Sequence, residues 1–366
     1  MLHPARLLRT LPLHVLGALW LCGAWRAALG LFVLTWLLLA VRDALPARLR
    51  PTWAWLGLGA LSGTLVLLRD PWLLPGRWAG LFEGLRFLGL GYAFLRASYV
   101  LFDPRPWPLA SLARYYWFLP AFVSGPVLSP GDVLEPPPVD REALPRAAWG
   151  ALKLTLAAAL APVVPLADAC NLELFLPAAV SSPAWGWAGA AASGAWLYLQ
   201  FSAWSDLSVA AAWACGARAR ENFDRPWAAA DPASFWRRWH VSLGDWLRAL
   251  VYDPLARLGA ARGPATRLGL AVLAPLVTML ACGAWHGLGW GFLAWGAWHG
   301  TWLGGHAAWS ALPLSRAARR WRAWPVAAWV LTQAAVVASW TLFLPVDPRV
   351  GLADRLALLR GLVGWT

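Results

Sequence analysis

The chain returns repeatedly to apolar stretches of nearly bilayer-spanning length, at 51–68, 147–169, 183–204, 268–284, 288–309 and 325–345, with less clean ones near 10–41 and 84–102. A helical span needs about 20 such residues and a barrel strand only about 9–11. In hydrocarbon every backbone amide and carbonyl must find its partner inside the protein, which admits helices or closed barrels. These runs are too long for barrel strands. Hydrophobic residues make up 60% of the chain, against about 45–50% in soluble domains. The sequence therefore predicts an all-α polytopic membrane protein with roughly 8–10 transmembrane or re-entrant helices. It reads as a single membrane-embedded domain over 1–366. Amino-terminal helices occupy 1–128, a Pro-rich connector 129–146, and a helical half over 147–366 holds nearly all the chemical signals.

The formal charge of +13 would suggest nucleic acid in a soluble protein. Here the arginines fall in loops flanking the apolar runs, as the positive-inside rule requires, and no nucleic-acid partner is expected. One cluster is Arg42, Arg48 and Arg50; a second runs from Arg218 to Arg267; a third is Arg316, Arg319, Arg320 and Arg322. Two apolar segments separate the second and third, so both can face the cytoplasm. Lys153 is the one lysine among 31 basic residues, a bias of Ala/Arg-rich coding that points to a bacterium. The 30 tryptophans suit bilayer interfaces, where an indole satisfies both its ring and its N–H. Cys22, Cys170, Cys215 and Cys282 show no paired spacing and read as inert thiols. Arg6 and Arg9 precede an apolar run with no convincing cleavage site, so an uncleaved first helix is expected.

Two segments carry polar chemistry where it is costly. The first is Phe235-Trp236-Arg237-Arg238-Trp239-His240-Val241-Ser242-Leu243, continuing to Arg248. Asp231 can cap a helix there and Pro232 fits its first position. Phe235, Trp236, Trp239, Leu243, Trp246, Leu247 and Leu250 then fall within an arc of about 120°, with Arg237, Arg238, Asp245 and Arg248 opposite. This predicts one amphipathic interfacial helix, with His240 at the edge of its apolar face. The second is Gly283-Ala284-Trp285-His286-Gly287, an uncharged turn between two apolar runs. A straight helix from Arg267 would carry His286 about 28 Å, close to the far membrane face. An ionisable side chain in such surroundings is a functional-site candidate. Asp206, in an apolar segment, needs a partner, with Arg237 or Arg238 the expected one. Asn222 is one of only two asparagines, which points to a specific polar contact there. Farther upstream, Pro120, Gly125 and Pro126 break the apolar run at 118–126. That predicts a re-entrant piece which must face protein or a water-filled cavity.

Phe201-Ser202-Ala203-Trp204-Ser205-Asp206, Glu221-Asn222-Phe223-Asp224-Arg225-Pro226, the 235–243 block, Gly283–Gly287 and Trp295-Gly296-Ala297-Trp298-His299-Gly300 occur in one order. Weaker echoes lie at Gly89–Tyr92, at Tyr99 and at Gly125-Pro126. The series resembles the membrane-bound O-acyltransferases, in the branch of bacterial alginate O-acetyltransferases and teichoic-acid D-alanyl transferases, over about residues 85–365. The resemblance implies a multi-helix fold with a funnel and transfer of an acyl group, acetyl above all, from a cytoplasmic thioester to a hydroxyl of an exported polysaccharide or envelope glycan. It implies His286 as the signature histidine and His240 as the second functional one. No bound cofactor is implied; acyl-CoA or a carrier-protein thioester is co-substrate. Partners would be membrane lipids and a periplasmic or extracellular acyl-accepting protein, and the location would be the cytoplasmic (inner) membrane. Arg237 and Arg238 fit donor phosphates or positive-inside anchoring. Trp236, Trp239, Trp285 and His299 support the site or pack it. Two departures stand out: Ala249-Leu250 replaces an acidic-aromatic pair after Arg248, and Leu344 follows Phe343 where an arginine is usual.

The competing reading is a lipid or glycan flippase using an arginine-lined cavity without bond chemistry. The two halves of the chain do not echo each other as in many transporters, and the histidine motifs favour chemistry. The histidines lack a zinc-protease or Cys/His spacing, so no metal is expected.

Overall fold

In the computed structural model, residues 17, 25–69, 89–135, 143–167, 169–260, 263–344 and 350–364 are described. The expected uncleaved first helix, for its part before Trp25, and the middle of the Pro-rich connector, 136–142, lie outside them. Among the described residues the regular structure is helical, apart from one isolated antiparallel bridge between Phe223 and Trp239. The chain is an all-α membrane protein. Four helical segments in the described part are long and apolar enough to cross a bilayer: Arg26–Ala44, Ala47–Arg69, Leu268–His286 and Trp324–Phe343. The apolar stretches at 183–204 and 288–309 also fall largely in long helices, Pro183–Ala214 and Trp290–Ala311. The stretch at 147–169 is shorter than its sequence suggests. Its helix ends at Leu160, because Pro162 and Pro165 cannot continue it.

Two compact units divide the chain, one of residues 1–151 with 204–221, the other of 152–203 with 222–366. The first unit holds α1 (Trp25–Ala44), α2 (Arg50–Arg69), α3 (Leu90–Phe102), α4 (Leu109–Tyr116) and α5 (Pro130–Leu134). Helices α6 (Ala143–Leu160) and α8 (Pro183–Ala214) contribute residues to both units. In the first unit, buried arginines do the work of missing backbone donors. Arg42 bonds the carbonyls of Val100 (2.9 Å) and Asp103 (2.6 Å) where α3 runs out of partners. Arg96, 2% exposed, donates to Tyr116 O (2.9 Å) and Phe118 O (3.1 Å).

The break expected at 118–126 is present: a single 3₁₀ turn, Leu119–Ala121, interrupts the run. Ser208 Oγ donates to Pro120 O (2.5 Å). Gly125 has φ +104°, and a Cβ there would overlap the Ser208 side chain, so this bend takes only glycine. Irregular backbone is thus tolerated because protein groups, not lipid, meet its carbonyls. The start of the Pro-rich connector is more ordered than its composition suggests. Asp132 accepts hydrogen bonds from Ser129 N (2.8 Å) and Oγ (2.7 Å), closing the first turn of α5.

The second unit holds α7 (Ala169–Ser181), α9 (Pro232–Trp236), α10 (Val241–Leu247), α11 (Asp253–Ala260), α12 (Pro264–His286), α13 (Trp290–Ala311), α14 (Pro313–Arg319), α15 (Trp324–Phe343) and α16 (Leu352–Val363). Its backbone frame is the pair α12–α13. Gly296, Gly300 and Gly304 recur every fourth residue on α13. A Cβ on them would come within 2.5 Å of Met279 O, 2.7 Å of Leu276 Cα and 2.6 Å of Val272 O. Gly283 on α12 returns the contact, a Cβ there overlapping Phe292 O. Small residues at helical spacing let two membrane helices approach backbone to backbone, and this seam sets where His286 and Trp295 sit.

Gly300→Leu should therefore force the two helices apart and lower stability by at least about 1–3 kcal/mol. The readout is the melting temperature of the detergent-solubilised protein. Gly305→Leu, whose Cβ would meet nothing within 4 Å, is the matched control and should leave it unchanged.

Candidate functional site

Asp231 caps α9 as its sequence predicts, its Oδ1 accepting from Ser234 N (2.7 Å). The single amphipathic helix expected beyond it does not form. After Trp236 the chain leaves the helix, and His240 takes a left-handed conformation (φ 45°, ψ 54°) before α10 begins at Val241. A neighbouring strand-like segment causes the break. Asp224 N donates to Arg238 O (2.9 Å), Phe223 bridges Trp239, and Val241 N donates to Asn222 O (3.0 Å). A non-glycine residue held at positive φ costs on the order of 1–3 kcal/mol and marks places where structure is imposed for use. Among the described residues only His240 and Arg225 are of this kind.

The turn drives the His240 ring inward, leaving the residue 3% exposed. Its Nδ1 lies 3.2 Å from Asn222 Oδ1, which also accepts from Ser242 N (3.2 Å) and Ser242 Oγ (2.8 Å). A backbone N–H can only donate, so the atom facing it is the amide oxygen. His240 Nδ1 must therefore carry the proton it shares with that oxygen, and Nε2 carries the lone pair. Nε2 is buried without a hydrogen-bond partner among the described residues. Burial pushes the imidazole down to about 3, which leaves it neutral at pH 7. Phe201 stands against its face, ring centroids 4.7 Å apart and nearly perpendicular, and Trp285 lies at 6.5 Å.

His286 is the last residue of α12, half-buried, followed by Gly287 at φ +157°. Aromatic rings wall it in: Trp285 at 4.6 Å, Phe343 at 4.8 Å, Trp295 at 5.7 Å and Phe292 at 5.9 Å between centroids. Trp285 thus touches both imidazoles. Trp295, 2% exposed, has a buried indole N–H with no hydrogen-bond partner among the described residues.

His299 is completely enclosed and fully bonded. Trp236 Nε1 donates to its Nδ1 (3.3 Å), so its Nε2–H donates to Ser339 Oγ (3.0 Å), which donates onward to Val336 O (2.7 Å). With neither nitrogen left over, His299 holds α9, α13 and α15 together. Trp236 is its anchor, and Trp239 is buried between Phe235 and Trp340.

The charged candidates take other partners. Arg237 is exposed, and Arg238 bonds Asp224 O (3.2 Å). Asp206 does not pair with either of them. Its carboxylate meets Arg146, which also binds Glu221, within the first unit. The reason is proximity set by tertiary packing, since Arg146 lies 60 residues upstream with no motif to announce it. Ser242, Trp295 and Ser339 were not singled out from sequence. Ser242 follows His240 by two residues, a local signal; Ser339 had none.

The ordered motifs agree with comparisons to known proteins. The model of the MBOAT, membrane-bound O-acyltransferase family, matches residues 96–339. The chain belongs to this family. A protein named probable alginate O-acetylase AlgI from Azotobacter vinelandii is 33% identical over 267 residues, 69% of this chain and 49% of that protein. The protein of the same name from Pseudomonas fluorescens is 32% identical over 312 residues, 81% of this chain and 58% of that one. Teichoic acid D-alanyltransferase from Streptococcus thermophilus is 28% identical over 227 residues, 57% and 54% of the two chains. The chain spans about half the length of these relatives.

His299→Gln can keep only one of the two side-chain bonds. It should cost about 1–3 kcal/mol, the penalty for a buried polar group left without its partner. A lower melting temperature of the purified protein checks this, and the loss should be matched by Ser339→Ala within about 1 kcal/mol.

Proposed function

We propose that this protein transfers an acyl group, acetyl by analogy with the alginate O-acetylase relatives, from a thioester to a hydroxyl of an exported polysaccharide or envelope glycan. The thioester is acyl-CoA or a carrier-protein thioester on the cytoplasmic side of the inner membrane. A periplasmic or extracellular protein can take the acyl group onward. The observation that carries this reading is the cluster in which Trp285 touches both His240 and His286, built from the family's own motifs.

The chemistry follows from what the groups can do. An alcohol is a poor nucleophile at neutral pH, and a positioned imidazole that removes its proton accelerates attack by about 10²–10⁴. His286 is the base in this scheme. The hydroxyl oxygen bonds to the thioester carbonyl carbon while its proton passes to His286. The tetrahedral intermediate then collapses, the carbon–sulfur bond breaks, and the departing thiolate takes that proton. Ester and free thiol are the products.

The developing oxyanion needs a donor already in place. Gly287 N–H is committed to Gly283 O (3.1 Å). The indole N–H of Trp295, unpaired and packed against His286, is the donor this reading assigns. The tryptophan and phenylalanine walls limit, around the imidazole, the water that would otherwise hydrolyse the thioester. Family membership weighs against the transport alternative, whose cavity would need no base.

His286→Ala should lower acyl transfer from an acetyl thioester to a glycan hydroxyl by at least about 10²-fold, measured per correctly inserted molecule. Transfer at the wild-type rate would overturn the proposal. Trp295→Phe keeps the ring and deletes the N–H, and should lower kcat by about 10²–10³-fold. An unchanged kcat would remove Trp295 from the scheme.

A further inference from the structure

Three features converge on His240 that the proposed function does not require of it: a left-handed backbone, an amide lock on Nδ1, and a buried Nε2 with nothing to bond. A buried polar atom left unsatisfied costs about 1–3 kcal/mol. His299 shows that this aromatic cluster can satisfy both nitrogens of a histidine when the ring serves packing alone.

We propose that Asn222 is a positioning residue that fixes His240 as the Nδ1–H tautomer, so that Nε2 receives a hydrogen bond from an O–H or N–H group of a bound substrate. The inference rests on the acyl-transfer reading for the substrate, but not for the tautomer. Its chemical content is exclusion as much as assignment. A neutral imidazole whose only N–H is already given to Asn222 has no proton to offer a thioester carbonyl, an oxyanion or a phosphate. His240 therefore grips a protic group: the hydroxyl of the acyl acceptor, or an amide N–H on the arm of a pantetheine-type donor. The lock does not depend on the imidazole alone. Ser242 N–H and Oγ–H converge on the same amide oxygen and keep the side chain from presenting its NH₂ to the ring. Asn222 O in turn receives Val241 N–H, so one residue sets both the turn and the tautomer.

The test is ¹⁵N NMR of the full chain in lipid nanodiscs with ¹⁵N-imidazole-labelled histidine, the His240 signals assigned by their loss in His240→Gln. At pH 7 the proposal expects a protonated Nδ1 and an unprotonated Nε2. Asn222→Ala should produce a mixture of tautomers. Asn222→Asp, whose carboxylate accepts the same three donors, should restore the wild-type pattern, and it guards against Asn222→Ala simply failing to fold. A protonated Nε2 in the wild type, or a spectrum unmoved by Asn222→Ala in folded protein, would overturn the assignment.

Steady-state kinetics with acetyl-CoA and a soluble alcohol acceptor separate the two substrate sources. In Asn222→Ala a KM raised at least about tenfold for the alcohol alone, an effect of the size given by groups that orient a ligand through a hydrogen bond, points to the acceptor hydroxyl. The same rise for the thioester alone points to the donor's amide, and no change in either KM or kcat overturns the contact with substrate. If the tautomer is as expected while no variant, His286→Ala included, alters any acyl transfer, the lock stands and the acyl-transfer reading falls.

Discussion

An imidazole buried among aromatic rings must have its nitrogens bonded or be put to use, because an unpaired polar atom in such surroundings costs about 1–3 kcal/mol. The second unit places three histidines under this constraint and resolves each differently. His299 gives both nitrogens to Trp236 and Ser339 and becomes a structural tie. His240 gives one to Asn222 and keeps the other. His286 stands half-buried at the end of a membrane-spanning helix, ringed by tryptophan and phenylalanine. Bonding, rather than motif membership, sets His299 apart from His240, whose Nε2 has no partner among the described residues.

That distribution depends on backbone placement. The glycine seam of α12 and α13 brings the helix carrying His286 against the one carrying Trp295 and His299. The pairing of 222–224 with 238–241 forces the chain out of its helix at His240 and turns the ring inward. Both devices place polar groups in an apolar layer without leaving backbone groups to lipid. The first unit solves the same problem with arginine, Arg42 and Arg96 supplying donors to carbonyls at helix ends.

Much of this was legible in the sequence. The all-α membrane class followed from the length of the apolar runs, and the family from motifs that occur in one order. Asn222 announced itself by rarity, and its contact with His240 is the specific polar contact expected there. The helix break at His240 was not legible, because the apolar period from Phe235 to Leu250 is equally satisfied on both sides of the turn. What breaks it is a pairing with residues 222–224, a contact that periodicity does not encode. The partner of Asp206 was hidden for the same reason. Arg146 and Asp206 are brought together by packing, whereas Arg237 and Arg238 merely belong to a familiar motif. His299 shares its His-Gly dipeptide with His286, so sequence alone left open whether it supports the site or packs it; its two hydrogen bonds make it a tie between helices.

The central claim is that His286 and His240 face one reacting centre, the first taking a proton from the hydroxyl and the second holding a protic group of the substrates. The most direct measurement is a structure of the full chain in nanodiscs with a non-hydrolysable acetyl-CoA analogue and a glycan acceptor bound. The account predicts the acceptor hydroxyl within hydrogen-bond reach of His286, about 2.6–3.2 Å, and a substrate O–H or N–H at the same distance from His240 Nε2. A bound analogue whose acyl carbon lies away from both rings, with Trp285 between it and either imidazole, would contradict it.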